Sequence, residues 1–154
     1  EEMEGVEFVW IGDGEDRKLL TASNIRVTGW LDNGEVHEEV NEADLYLSTS
    51  LYEGLSFAVL EALAMKKPVL LSNCTGNTDL VKSGLNGDLF NNKADAIVKI
   101  LQYYNNREML PLMGTFSREI CKTEFDVKQN FMTYRSLYAG LHLMTGKPAK
   151  WSFG

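Results

Sequence analysis

Leu45-Tyr46-Leu47-Ser48-Thr49-Ser50, then Ser56 to Lys66, then Pro68-Val69-Leu70-Leu71-Ser72: these three stretches, in that order, decide the fold. The first is a short apolar run closed by polar turn residues, which reads as a strand. The second, Ser56-Phe57-Ala58-Val59-Leu60-Glu61-Ala62-Leu63-Ala64-Met65-Lys66, is rich in helix formers. Pro68 forbids continuation of that helix, because it lacks an N–H and restricts the residue before it. The third is a continuous apolar run, the pattern of a strand buried on both faces. Strand, helix and buried strand in succession make a crossover unit, and such units build parallel sheets.

Working outward, the same rhythm continues in both directions. Val6-Glu7-Phe8-Val9-Trp10-Ile11 reads as a buried strand ending at Gly12-Asp13-Gly14, with Glu15 to Leu20 as a short helical segment. Ile25-Arg26-Val27-Thr28-Gly29-Trp30 alternates like a second strand. Asn33-Gly34 reads as a turn before an amphipathic helix over residues 35–42. After Ser72, a short helix is expected near Thr78 to Lys82, and Asn86-Gly87 turns into a brief strand, Asp88-Leu89-Phe90. Helices are expected over roughly 93–105, 107–122 and 126–143. The expected fold is therefore α/β, a Rossmann-like, doubly wound parallel sheet. Residues 1–145 form the domain, and residues 146–154, with Pro148, Trp151 and Phe153, are a tail without a readable period.

Composition fits one soluble domain. The chain has 154 residues, 44% hydrophobic and 24% charged, with a formal charge of -7. That charge argues against a nucleic-acid partner, but not against a small anion held at a helix N-terminus. Cys74 and Cys121 stand in no metal spacing and read as reduced thiols. No apolar run approaches the ~20 residues of a membrane span. The acidic start Glu1-Glu2-Met3-Glu4 is unlike a signal peptide, so a cytoplasmic location is expected, with the inner membrane face open for a full-length protein.

The segment Glu53-Gly54-Leu55-Ser56-Phe57-Ala58-Val59-Leu60-Glu61 follows a strand and opens a helix, where ligands of open α/β sheets bind. On a helical wheel, Glu61 falls between Phe57 and Met65 as the only acid on an otherwise apolar helix up to Lys66. If buried, that carboxylate needs a partner; a salt bridge or an exposed face would serve equally. Glu53, ahead of the helix, also suits a dipole partner.

Glu-x7-Glu within EGLSFAVLEALA, followed by Pro68-Val69, resembles the signature of retaining GT-B-fold glycosyltransferases of bacterial polysaccharide and glycolipid synthesis. The similarity runs in order from Phe8 to about Leu141. It includes Ile11-Gly12-Asp13-Gly14, Val27-Thr28-Gly29-Trp30, Ala43 to Ser50, Gly84-Leu85-Asn86-Gly87-Asp88-Leu89-Phe90, and the closing helix with Tyr134 and Leu137-Tyr138. The resemblance implies the C-terminal, donor-binding half of a GT-B fold, transferring a sugar from a nucleotide diphosphate sugar to a glycan or lipid acceptor with retention.

It further implies that Glu53 is the catalytic-site glutamate, hydrogen-bonding hydroxyls of the donor sugar. Gly54 and Leu55 would let the backbone approach, and the amides of Ser56 and Phe57 would face the diphosphate. Glu61 would accept from the ribose hydroxyls. Trp30 would line the base pocket, with a core or edge tryptophan an equal alternative. No metal or other cofactor is expected, and the partners implied are the nucleotide sugar and the acceptor.

The departures matter too. Family members carry a further strand, with Gly-Arg and Lys-Gly elements whose basic side chains neutralise the leaving diphosphate, ahead of the position of Val6. Against that pattern, these elements and the acceptor-binding domain are expected to lie outside the residues from Val6 onward. The chain is expected to be inactive by itself, with the missing strand at the centre of the sheet and the tail as a candidate cover. Lys67 stands where a small residue is usual, and Asp79 where glutamate is common.

A non-catalytic nucleotide-sugar-binding subunit, or a regulatory module of a split transferase, is the alternative reading. Two others fail on the residues. Gly54-Leu55-Ser56-Phe57-Ala58 lacks the direct strand entry of a nucleophile elbow, since five residues separate Ser50 from Ser56, and the later histidine, His142, lies near the end of a C-terminal helix. Gly12-Asp13-Gly14 lacks the third glycine of a dinucleotide fingerprint. His37, alone on a charged helix, reads as a solvated surface residue.

Overall fold

The computed structural model describes residues 5–145. Its elements run β1 (Phe8–Ile11), a 3-10 turn (Glu15–Leu19), β2 (Ile25–Gly29), α1 (Asn33–Glu42), β3 (Tyr46–Ser48) and α2 (Phe57–Ala64). They continue through β4 (Val69–Ser72), α3 (Thr75–Thr78), β5 (Gly87–Phe90), α4 (Lys93–Asn105), a 3-10 turn (Arg107–Met109), α5 (Leu110–Glu124) and α6 (Val127–Thr145). Every pairing between strands is parallel, as the alternation of strand and helix requires. The strands fall into two ladders: β1 with β2, and β3-β4-β5 with β4 at the centre.

Helices cover both faces of the larger ladder, and β4 shows why. Its side chains alternate between faces, and all three of Val69, Leu70 and Leu71 are fully buried. Val69 and Leu71 join Val59 and Leu63 of α2, with Leu80 and Val81, in one cluster. Leu70 joins Phe90, Tyr103, Leu110 and Met113 in the other. This is the doubly wound, Rossmann-like α/β arrangement expected from the alternation. The expected tail, residues 146–154, lies outside the described residues.

α2 and α5 approach until only glycine fits between them. A Cβ on Gly114 would stand 1.9 Å from the carbonyl oxygen of Lys66. Lys66 itself ends α2 with φ at +61°, a left-handed turn ahead of Pro68.

Three expectations are corrected. β1 is not a buried strand: none of its residues is fully buried and Trp10 is exposed, because β1 is paired on one side only. Asn33-Gly34 is not a turn; it opens α1, because the Asp32 side chain accepts from Glu35 N while the Glu35 carboxylate accepts from Asp32 N. That reciprocal capping box starts the helix two residues early. The short helix after β4 lies at Thr75–Thr78 rather than Thr78 to Lys82. Its position is fixed by a bond from Gly76 N to the Glu53 carbonyl, which no local pattern reveals.

Candidate functional site

Between β3 and α2 the chain passes through Glu53, Gly54 and Leu55 before Ser56 takes the N-cap position. α1 and α4 begin with side-chain caps from Asp32 and Asn92 and carry an acid in their first turns. α2 has neither: Ser56 makes no capping bond, and no acid sits in the first turn. The first N–H groups of α2 therefore have no side-chain cap and no acid within the first turn, the condition that leaves them open to an anion.

The two glutamates flank this terminus. Glu53 is half-buried, and its own carbonyl accepts from Gly76 N at 3.0 Å. Glu61 lies one turn along α2 with its side chain 55% exposed, and its Oε2 stands 3.9 Å from Nε2 of His37 on α1. Burial raises the pKa of the Tyr46 hydroxyl above its usual value, and the charges of Glu53 and then Glu61 raise it further. One phenol on β3 thus lies in the field of both carboxylates.

Glu61 needs no buried counter-charge, because the face it shares with Phe57 is open: Phe57 is 76% exposed. The wheel placed Glu61 correctly but could not say what lay opposite. His37 is exposed as expected, although it faces Glu61 rather than water alone. Trp30, just past β2, is 85% exposed, so the core alternative for it is wrong. It follows a strand of the other ladder, whereas Gly54, Leu55, Ser56, Phe57 and both glutamates share one loop and helix.

The sequence reading did not single out Tyr46 or Asn77. Asn77 is fully buried and follows β4 much as Glu53 follows β3. A glycine beside a polar residue after a buried strand was the available signal. Among the described residues no group of three or more His, Cys, Asp or Glu side chains could hold a metal ion.

Residues 1–106 match the family model described as glycosyl transferases group 1. The chain belongs to this glycosyltransferase family. One relative is the Escherichia coli UDP-Gal:alpha-D-GlcNAc-diphosphoundecaprenol alpha-1,3-galactosyltransferase. It is 28% identical over 141 residues, which are 85% of this chain and 36% of that protein. Another is the Acholeplasma laidlawii alpha-monoglucosyldiacylglycerol synthase, 29% identical over 72% of this chain and 29% of that protein. This glycosyltransferase chain spans about a third of the length of the curated relatives it matches.

Among solved structures, TarM superposes with a TM-score of 0.77 at 24% identity, over 88% of this chain and 29% of its own. Anabaena HepE, solved with UDP-glucose, gives 0.73 at 19% identity, over 89% and 42%. These likenesses establish a fold shared with GT-B glycosyltransferases. No described helix is long and apolar enough to cross a membrane.

Proposed function

We propose that this chain is the donor-binding, C-terminal half of a retaining GT-B glycosyltransferase. Such an enzyme moves a sugar from a nucleotide diphosphate sugar to a glycan or lipid acceptor. The observation that carries the reading is the uncapped N-terminus of α2 set between Glu53 and Glu61, in a chain of a glycosyltransferase family. The amides of Ser56 and Phe57 face the diphosphate, with Gly54 and Leu55 leaving the backbone open beside them. Glu61 accepts from the ribose hydroxyls, Glu53 from hydroxyls of the donor sugar, and Trp30 offers its exposed indole to the base. The anion is held by N–H groups and the helix dipole, so the reading calls for no metal.

The split between the two ladders supports the incomplete part of the reading. A parallel strand supplied by the rest of a full-length protein would join β1 to β3, and the acceptor site would come from a second domain. The relatives named above, with their lipid-linked or lipid products, support a glycan or lipid acceptor.

Calorimetric titration with UDP, GDP and ADP and with a hexose conjugate of each tests the reading. We expect micromolar-to-millimolar binding of one nucleotide family. Glu61→Gln should weaken that nucleotide about tenfold, the low end for a hydrogen bond to a charged group, because the carboxylate is half exposed. Glu53→Gln should weaken only the nucleotide sugar. Binding of none of the six ligands, or equal binding by wild type and both variants, refutes the assignment.

A further inference from the structure

The loop bearing Glu53 is tied to the end of β4 and to α3 at two of its backbone carbonyls. Ser72 Oγ donates to the Ser50 carbonyl, and Gly76 N donates to the Glu53 carbonyl at 3.0 Å. Behind them stands Asn77, 0% exposed, whose Nδ2 donates to the Ser72 carbonyl at 2.9 Å and to Ser72 Oγ at 3.3 Å. Its Oδ1 is buried with no hydrogen-bond partner among the described residues. A buried amide with half its capacity unused is a poor choice for packing, where leucine would fill similar volume without desolvating a carbonyl. What the asparagine supplies is a fixed position for Ser72.

Gly76 acts by contact. A Cβ there would lie 2.2 Å from the Gly54 carbonyl oxygen and 2.7 Å from that of Glu53, and both neighbours are backbone. Its own conformation is helical and open to any residue, so only the closeness of the Glu53-Gly54 peptide demands glycine. The residues before and at the glutamate are therefore held at fixed points just ahead of α2.

We propose that Ser72, Gly76 and Asn77 are positioning residues for Glu53, a brace from the end of β4 and α3 to the Glu53 loop that sets where its carboxylate stands relative to the N-terminus of α2. The brace rests on the donor-site reading for its consequence in binding. Its mechanical part, immobilising residues 50–54, is independent of that reading.

Gly76→Ala, Asn77→Leu and Ser72→Ala test it, measured by thermal unfolding, hydrogen exchange of the residue 76 amide that donates to the Glu53 carbonyl, and titration with the nucleotide and nucleotide sugar that the wild type binds. We expect exchange of the residue 76 amide, the donor to the Glu53 carbonyl, to quicken in all three variants while that of Val69 to Leu71 stays unchanged. Affinity for the nucleotide sugar should fall about tenfold, as when one hydrogen bond to a charged group is misaligned, with the bare nucleotide altered less than about twofold. Combining Gly76→Ala with Glu53→Gln should lose no more than Glu53→Gln alone, because the brace acts through that side chain.

Additive losses, or equal losses for nucleotide and nucleotide sugar, overturn the proposal. If the wild type binds no nucleotide, the donor-site reading has failed and the exchange data decide the brace alone. Unchanged exchange of the residue 76 amide would then refute it, and faster exchange there with β4 unaltered would support it. A variant that fails to fold is replaced in the same comparison by Ser72→Ala, which removes one hydroxyl and introduces no clash.

Discussion

Replacing glycine by alanine should act in opposite directions at two helical positions. At Gly114 the new methyl would stand 1.9 Å from the Lys66 carbonyl oxygen, 2.9 Å from its carbon and 3.5 Å from Cδ of Pro68. An ordinary carbon–oxygen approach is about 3.3 Å, so roughly 1.4 Å must be found. Lys66 cannot readily give way, because it is held in a left-handed turn between α2 and Pro68. α5 must therefore move off α2, opening the packing around Met113 and Leu63. Overpacking of this kind costs about 1–3 kcal/mol, and a clash with backbone belongs at the upper end.

At about 2–4 °C per kcal/mol for a chain of this size, Gly114→Ala should lower Tm by roughly 6–12 °C. At Gly140 on α6, nothing lies within 4 Å of the added carbon. There alanine gains only its helix preference, about 0.5–1 kcal/mol, and Tm should rise by roughly 1–4 °C. Far-UV circular dichroism during thermal and urea unfolding measures both. A Gly114→Ala protein melting within about 2 °C of wild type would refute the close α2–α5 approach.

Three further outcomes follow from Tyr103 and Asp32. The Tyr103 hydroxyl donates to Asp88 Oδ2 at 2.7 Å in a buried setting, so Tyr103→Phe should destabilise by about 1.5 kcal/mol in urea titrations. Burial, then the bond to Asp88, raise the pKa of that hydroxyl well above its ordinary value. The unfolded chain therefore ionises first, so stability should hold through neutral pH and decline above about pH 10, and the decline should be shallower in Tyr103→Phe. Asp32→Ala removes one half of the α1 capping box and should cost about 1 kcal/mol by the same titration.

Most of the fold was legible because apolar pattern and helix stops agree locally. β4 announced itself as a run buried on both faces, and α2 as a helix stopped by Pro68. The misplaced elements failed for identifiable reasons. Asn33-Gly34 has turn composition, but Asp32 and Glu35 bracket it at capping-box spacing and outweigh it. Thr75-Gly76-Asn77-Thr78 has poor helix propensity and is held by a bond to Glu53, distant in sequence.

Within the candidate site, spacing put Glu53 on a loop and Glu61 on the helix after it, where both are found. What spacing could not supply was environment. Glu61 lies on an open face beside His37 rather than in an apolar one, and Trp30 is outside the core. Those facts depend on what packs opposite each side chain, which a helical wheel does not contain.

The division of the strands into two ladders has a colloidal consequence. Among the described residues, β4 alone is paired on both sides; β1, β2, β3 and β5 each turn one row of N–H and C=O groups away from their ladder. Such rows are templates for pairing with another molecule, and proteins keep them apart with bulges and charge. A register irregularity between Trp10 and Ile11 interrupts β1, and the net charge of -7 repels neighbouring molecules. The second protection is conditional on pH. As acidification approaches pH 4.8 the charge falls to zero, and open strand edges meet without repulsion. For this chain, handling near its isoelectric point removes the main barrier between a dispersed domain and edge-to-edge association.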